Sequence, residues 1–281
     1  MASDRPTNDV FTLRTPLDEP ALRSALVGAD REGFYTRLDV VPETASTNAD
    51  LLAVAATGDD RRVLLAEFQH GGRGRHSRSW NGVPGAQVIV SVLLRLPECP
   101  LQNLGWLPLL CGIATVDAVR SVSGVAAQLK WPNDVLVDGR KLAGILVEVA
   151  ATAPVPTVVA GIGINVTLER DELPVPTATS LLLEGAAELD RTLLAQTLLA
   201  ELGERIRAWA RAGWDTSAAA SAYRERCSTV GQHVRAILPG DTELHGIATD
   251  VDDQGRIVIR PDDGGDAVAV AAGDITHLRP A

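Results

Sequence analysis

The chain has 281 residues, a formal net charge of −10 and a pI near 5.0, with 46% hydrophobic and 22% charged residues. That composition excludes an intrinsically disordered chain, and the acidic balance excludes a protein whose whole surface is a basic nucleic-acid footprint. The length suits one large domain followed by a small one.

Residues 1 to about 16 mix acids, prolines and polar side chains without the apolar core of a signal peptide, and read as a mobile leader. Asp18 to Val27 fits one short helix, so residues 1–37 form a leader with a helix, too little for a helix-turn-helix module before Asp39. No stretch approaches the ~20 continuous apolar residues of a membrane span, and the cytoplasm is the expected location. Cys99, Cys111 and Cys227 lie far apart, without a CxxC pair or a neighbouring His, and read as buried thiols in a reducing compartment.

From Leu38 the pattern is strand, turn, then a helix stopping at Gly58. Thr47 with Asp50 three residues later has capping-box spacing, which places Ser46, Thr47 and free backbone N–H groups at a helix N-terminus. These residues either cap their own helix or also meet a polar ligand group.

Val63–Glu67 reads as a strand entering the stretch QHGGRGRHSRSW, residues 69–80, and Gln87–Leu96 as a strand leaving it. Between Gly71 and Trp80 stand three glycines and three arginines, with almost nothing apolar. Glycines permit close backbone approach and guanidinium forks suit carboxylate and phosphate, so the loop reads as an anion cradle. The alternative is a solvated basic turn or a nonspecific RNA contact.

Leu107, Leu110, Cys111, Ala114 and Ala118 recur at helical spacing. Strands are expected near Asp134–Val137 and Lys141–Val149, joined by a type I′ turn at Asp138-Gly139. Lys130 precedes Trp131-Pro132, a stiff frame that would aim a lysine, although a surface lysine fits the same pattern; Trp131 reads as a packing residue. Thr157–Val166 is a strand carrying Gly161 and Gly163, which mark close approach of a ligand or another backbone. Asn165 is a turn former or a base-reading amide.

A long amphipathic helix begins at Asp190, with Leu194, Leu198, Leu202, Ile206 and Trp209 on one side. After Cys227 short strands alternate with turn clusters at 239–241, 252–255 and 262–265, as in small barrels, and a boundary is expected near residue 228. The division is therefore 1–37, 38–227 and 228–281.

With ETASTN at 43–48, QHGGRGRHSRSW at 69–80, LKWPNDV at 129–135, RKLAGILVE at 140–148 and GIGINV at 161–166, the chain resembles the biotin protein ligases over residues 38 to 281. The resemblance implies an α/β (α+β) fold: the ligase core also seen in class II aminoacyl-tRNA synthetases, with a mixed sheet, plus a C-terminal SH3-like β-barrel. It implies formation of biotinyl-5′-AMP from biotin and ATP, with Mg2+, then transfer of biotin to a lysine of a biotin carboxyl carrier domain of an acyl-CoA or pyruvate carboxylase.

By motif position, Ser46, Thr47, Asn48 and Gln69 would meet the biotin ring. Gly72, Arg73, Gly74 and Arg75 would order over the adenylate, Arg73 and Arg75 meeting carboxylate and phosphate. Lys130 would stabilise charge in the transition state, and Asn165, with Asn133 and Gly144, would contact adenine. No acidic pair nominates itself as a magnesium ligand.

Ser77 stands where the family usually has glycine, which puts the loop's ordering in question. The resemblance starts without the winged helix of the repressor members, so no operator binding is expected. Exposed strand edges would allow two copies to pair. The rival readings are a lipoate or octanoate ligase, and a noncatalytic adenylate sensor.

Overall fold

The computed structural model describes residues 10–28, 33–238, 242–271 and 274–277. Its helices are α1 (Val10–Leu13), α2 (Glu19–Leu26), α3 (Thr47–Val54), α4 (Leu107–Ser123), α5 (Arg191–Arg211) and α6 (Ser217–Arg224). The first seven strands are β1 (Arg37–Val41), β2 (Arg62–Ala66), β3 (Gln87–Arg95), β4 (Gln128–Lys130), β5 (Asp134–Val137), β6 (Arg140–Ala151) and β7 (Thr157–Asn165). They form one sheet in the order β1-β2-β3-β7-β6-β5-β4. Only β1 and β2 run parallel, so the sheet is mixed, as expected.

The centre of this sheet is covered on both faces. Gln87 to Leu94 are all buried, the near-continuous apolar run that two-sided cover demands. The helices α4 and α5 pack one face in the main core, while Leu51 of α3 packs with Leu64, Leu93 and Val159 on the other. Asp190 caps α5 by accepting from the Thr192 and Leu193 amides. Leu194, Leu198, Leu202, Ile206 and Trp209 are buried along its inner side. At the β5–β6 hairpin, Asp138 and Gly139 have φ of 47° and 76°, the two positive values a type I′ turn needs.

Several expectations need correction. Residues 10–16 are not a free leader: α1 forms there, and Arg14 and Thr15 hydrogen-bond to the body of the protein. Arginine forks and backbone groups, rather than apolar burial, hold this stretch. The cap of α3 is Ser46, not Thr47; Ser46 accepts from the Ala49 amide, while Asp50 accepts from the Thr44 hydroxyl. Leu101–Ser123 is long and apolar enough to span a membrane by length and composition, yet 67% of that window is buried inside the protein, as a core helix requires.

The second sheet comprises β8 (His233–Ile237), β9 (Glu243–Val251), β10 (Ile257–Pro261), β11 (Val268–Val270) and β12 (Asp274–His277), in the order β11-β10-β9-β8-β12, all antiparallel. Val234, Ala236, Ala248, Val251, Ile257 and Ile259 point inward. The turn clusters at 252–255 and 262–265 follow β9 and β10; the one at 239–241 lies outside the described residues.

Candidate active site

The site is built on the register of three strands. Ser91, Gly161 and Leu146 stand side by side on β3, β7 and β6; Ile89, Gly163 and Gly144 form the next row, and Gln87 and Asn165 the third. Residues two apart point to the same face of a sheet, so the rows step along the face by about 7 Å. Two of these rows carry glycine, leaving a strip of sheet bare of side chains.

The N-terminus of α3 and residues 69–81 arch over this strip and enclose a cavity of about 510 Å³. Ser46, Thr47, Asn48, Gln69, Arg73, Gly74, Arg75, Lys130, Asn133, Gly144 and Asn165 all line it. Gly72 does not. It closes the neck of the loop, its carbonyl accepting from the Trp80 amide at 2.9 Å, and a Cβ there would collide with the Trp80 carbonyl and the Gln69 side chain.

Beyond the neck the loop is pinned on itself. Arg73 and Ser79 form a bridge, and the Gly74 amide donates to the Arg78 carbonyl at 2.6 Å. The residue that takes the left-handed backbone is His76 (φ 53°, ψ 39°), next to Ser77.

One end of the cavity is a closed polar network. Thr47 Oγ1 and Ser91 Oγ are 2.7 Å apart, and Ser91 Oγ donates to Asn48 Oδ1 at 2.6 Å. Asn48 Nδ2 donates to Glu148 Oε2 at 2.8 Å and to the Leu146 carbonyl at 3.2 Å. Glu148 Oε1 in turn receives Arg73 Nη2 at 3.3 Å. A side chain on Gly161 would occupy the place of the Asn48 carboxamide. The close approach that glycine at 161 permits is thus to a side chain, not to another backbone.

In the middle row the Trp80 indole lies over Gly163 and Gly144. Lys141 Nζ is 2.6 Å from Asp134 and 5.6 Å from the centroid of the Trp80 ring. Lys130 ends β4 opposite Asp134 of β5. Asn133 is fixed to β6 by two bonds: its Nδ2 donates to the Ile145 carbonyl at 2.8 Å, and its carbonyl accepts the Ile145 amide at 3.0 Å. Arg75 Nη1 reaches its Oδ1 at 3.5 Å.

In the last row Asn165 is the end of a strand, not a turn. Its Oδ1 accepts from Gln87 Nε2 at 2.8 Å and its Nδ2 donates to the Thr179 carbonyl at 2.9 Å. Each atom keeps one further valence.

The electrostatics follow from this list. Arg73, Arg75, Arg78, Lys130 and Lys141 line the cavity, against the single carboxylate of Asp134. Within a chain of net charge −10, this is a local concentration of positive charge. No cysteine lines it. Burial pushes the Cys99 and Cys111 thiols up to about 11 and about 12, and Cys227 is also raised by burial. Such thiols are poor nucleophiles at neutral pH. Among the described residues no group of three or more His, Cys, Asp or Glu could hold a metal ion.

Trp80, Ser91, Asp134, Lys141 and Glu148 have no role that the sequence motifs assign. Ser91 had a signal: it is the polar residue inside the otherwise apolar run VIVSVLL.

Residues 39–165 match the Biotin/lipoate A/B protein ligase family, and residues 229–278 match the Biotin protein ligase C terminal domain. The fold and the basic cavity therefore define an acid-activating ligase of that class. A Biotin--[acetyl-CoA-carboxylase] ligase of Mycobacterium tuberculosis is 49% identical over 95% of this chain and 98% of its own length. The Bifunctional ligase/repressor BirA of Escherichia coli is 33% identical over 79% of this chain and 69% of that protein. Among solved structures, a biotin protein ligase from Aquifex aeolicus in complex with biotin and ATP has a TM-score of 0.73 at 24% identity, covering 88% of this chain and 100% of that one. The chain belongs to the biotin protein ligases.

Proposed function

We propose that the chain activates biotin with ATP and passes it to a lysine of a carrier protein. In the first step a biotin carboxylate oxygen attacks the α-phosphorus of ATP, the bond to the β-phosphate breaks, and pyrophosphate leaves. In the second, a neutral lysine amine attacks the carbonyl of biotinyl-5′-AMP, AMP leaves with the bonding pair, and the nitrogen gives up one proton to solvent as the amide forms. Both steps need alignment and charge stabilisation more than a protein nucleophile.

The observation that carries this reading is the order of groups along the three rows. The Thr47, Asn48 and Ser91 cluster offers acceptor oxygens to the two N–H groups of a ureido ring. Ser46 and Gln69 flank it. Arg73, Arg75 and Lys130, which line the same cavity, would meet the carboxylate and α-phosphate, with Lys130 carrying most of the charge stabilisation. Trp80 supplies a flat apolar wall over Gly144, and Asn165, with Asn133 and Gly144, would contact adenine.

Mg2+ would arrive with the ATP phosphates, since the described residues offer no carboxylate cluster for it. The partner we propose is the carrier domain of an acyl-CoA or pyruvate carboxylase. The free thiols suit a cytoplasmic enzyme. We also propose a working division at residue 228 between the ligase core and the C-terminal domain.

The test is adenylate formation from labelled ATP and magnesium with biotin, lipoate and octanoate offered separately, beside Lys130→Ala. Biotin alone should react. The variant should lose about 10²–10³ in rate, as for loss of one transition-state donor, while still binding biotin. Preference for lipoate or octanoate would reassign the substrate, and no adenylation of any acid by folded protein would favour the sensor reading.

A further inference from the structure

The segment ahead of β1 is tied to the segment that follows β7, and the tie is ionic. Arg14 has only 7% of its side chain exposed. Its Nη1 donates to Glu172 Oε1 at 3.0 Å and its Nη2 to Oε2 at 2.5 Å. The same guanidinium reaches the Thr167 carbonyl at 2.9 Å and the Thr167 hydroxyl at 3.3 Å. Glu172 also accepts the Glu169 amide at 2.9 Å, closing its own turn. The Arg14 fork holds the Glu172 carboxyl below its ordinary range, against the opposing effect of burial. A part-buried bidentate pair of this kind is stronger and more directional than an exposed ion pair.

The neighbours of Arg14 are anchored too. The Thr15 carbonyl accepts from buried Arg191, and the Leu17 amide donates to Glu67 Oε1 at 2.6 Å. Arg191 pairs with Glu67 at 2.7 Å and donates to the Gln87 carbonyl at 3.1 Å. Gln87 is the residue whose side chain holds Asn165.

The segment that Arg14 grips is one limb of a loop. The chain leaves the sheet after Asn165 and returns where the Lys141 amide donates to the Thr177 carbonyl at 2.7 Å and the Thr179 amide to the Lys141 carbonyl at 2.9 Å. Between these limbs the tip, Pro174 and Val175, lines the cavity, with Val175 49% exposed. Lys141 therefore fixes the inner limb and Arg14 the outer one.

We propose that Arg14 is a positioning residue for the nucleotide end of the cavity: acting through Glu172 and Thr167, it sets how the Pro174–Val175 lip stands beside the Asn165 row. The proposal rests on the ligase reading in assigning the nucleotide to that end. Arg14 does not line the cavity, so its effect reaches ATP recognition through the lip rather than through the chemical step.

The test combines Arg14→Met, Glu172→Gln, the double variant and Arg14→Lys, with KM for ATP and for biotin measured separately, and hydrogen exchange followed without ligand. Each of the Met and Gln variants should raise KM for ATP by about fivefold to tenfold, with kcat and KM for biotin within about twofold. The double variant should be no worse than the more affected single one, as for two halves of one interaction, and Arg14→Lys should recover part of the loss. Exchange across 167–176 should quicken by about tenfold while β3 and α5 keep their protection.

Equal changes in both KM values, additive losses in the double variant, or unchanged exchange at 167–176 would each overturn the proposal. If the wild type fails to adenylate biotin, the ligase reading falls, and the exchange measurement still decides whether Arg14 orders the lip.

Discussion

The indole of Trp80 occupies the space that a side chain at residue 163 would need: a Cβ on Gly163 would lie 2.5 Å from both Cε2 and Nε1 of Trp80. The glycine in β7 and the tryptophan at the end of the arginine loop are therefore two halves of one feature. The bare strand exists so that the ring can lie on it.

Gly163→Ala should accordingly lift Trp80 off the sheet and narrow the middle of the cavity. Overpacking of this kind costs about 1–3 kcal/mol, and adenylate formation should fall more steeply than stability does. Thermal denaturation beside an activity assay separates the two. A variant with a lowered Tm and full activity would show that the ring's position is immaterial.

Glu148 joins the polar end of the cavity to the loop, since it accepts from Asn48 at 2.8 Å and from Arg73 at 3.3 Å. Glu148→Gln keeps the shape and removes the charge. A hydrogen bond to a charged group contributes about 1.5–3 kcal/mol, so biotin affinity should weaken by roughly tenfold or more, read by calorimetry. A cycle with Arg73→Ala should show coupling between the two positions. Independent effects would mean that Glu148 serves Asn48 alone.

Much of this site could be read in the sequence because its chemistry is concentrated in short motifs. Glycine and arginine in one loop, or a lysine ahead of Trp-Pro, signal their chemistry through local residue type. The parts that escaped are relationships across the sheet. Nothing local says that Ser91 stands beside Gly161, because strand register is fixed by pairing partners far away in the chain. The capping-box spacing starts at Thr47 although Ser46 is the cap, since two adjacent hydroxyl residues are equally good caps until the backbone is known. Residues 10–16 read as leader because arginine ties to Thr167 and Glu172 lie 153 and 158 positions away and leave no periodicity.

The buried thiols give a pH prediction. Burial raises Cys111 from 9.0 to about 12. The unfolded chain would release this proton near pH 9, so the contribution to stability is complete below that pH and is lost as pH rises toward 12. Buried Tyr35 and Tyr223, also raised by burial, act in the same direction. Denaturant midpoints should be level from pH 7 to pH 8.5 and fall above pH 9, and Cys111→Ala should shallow that fall. An alkylating reagent at pH 8 should leave Cys111 unmodified until the protein unfolds. Rapid modification in the folded state would contradict the burial.

The turn between β9 and β10 reaches into the core beside Lys130. The Trp131 indole donates to the Gly255 carbonyl at 2.9 Å, and the Trp106 indole donates to the Asp253 carbonyl at 2.8 Å. On the other side of Lys130, the Leu129 amide donates to the Arg226 carbonyl at 2.8 Å, and the Leu129 carbonyl accepts the Ser228 amide at the same distance. Both neighbours of the lysine are thus held by residues beyond 225. Gly255 has φ of +75°, and a Cβ there would stand 2.7 Å from Leu109 Cδ1. Gly255→Ala is strained for both reasons and should cost about 1–3 kcal/mol. Since Trp131 adjoins Lys130, the surviving folded protein should also show a lower kcat for adenylate formation. Trp131→Phe separates the two causes, because it removes the indole donor without adding bulk at Gly255. A reduced kcat in that variant, with biotin binding intact, assigns the effect to the placement of Lys130; an unchanged kcat assigns it to strain in the turn.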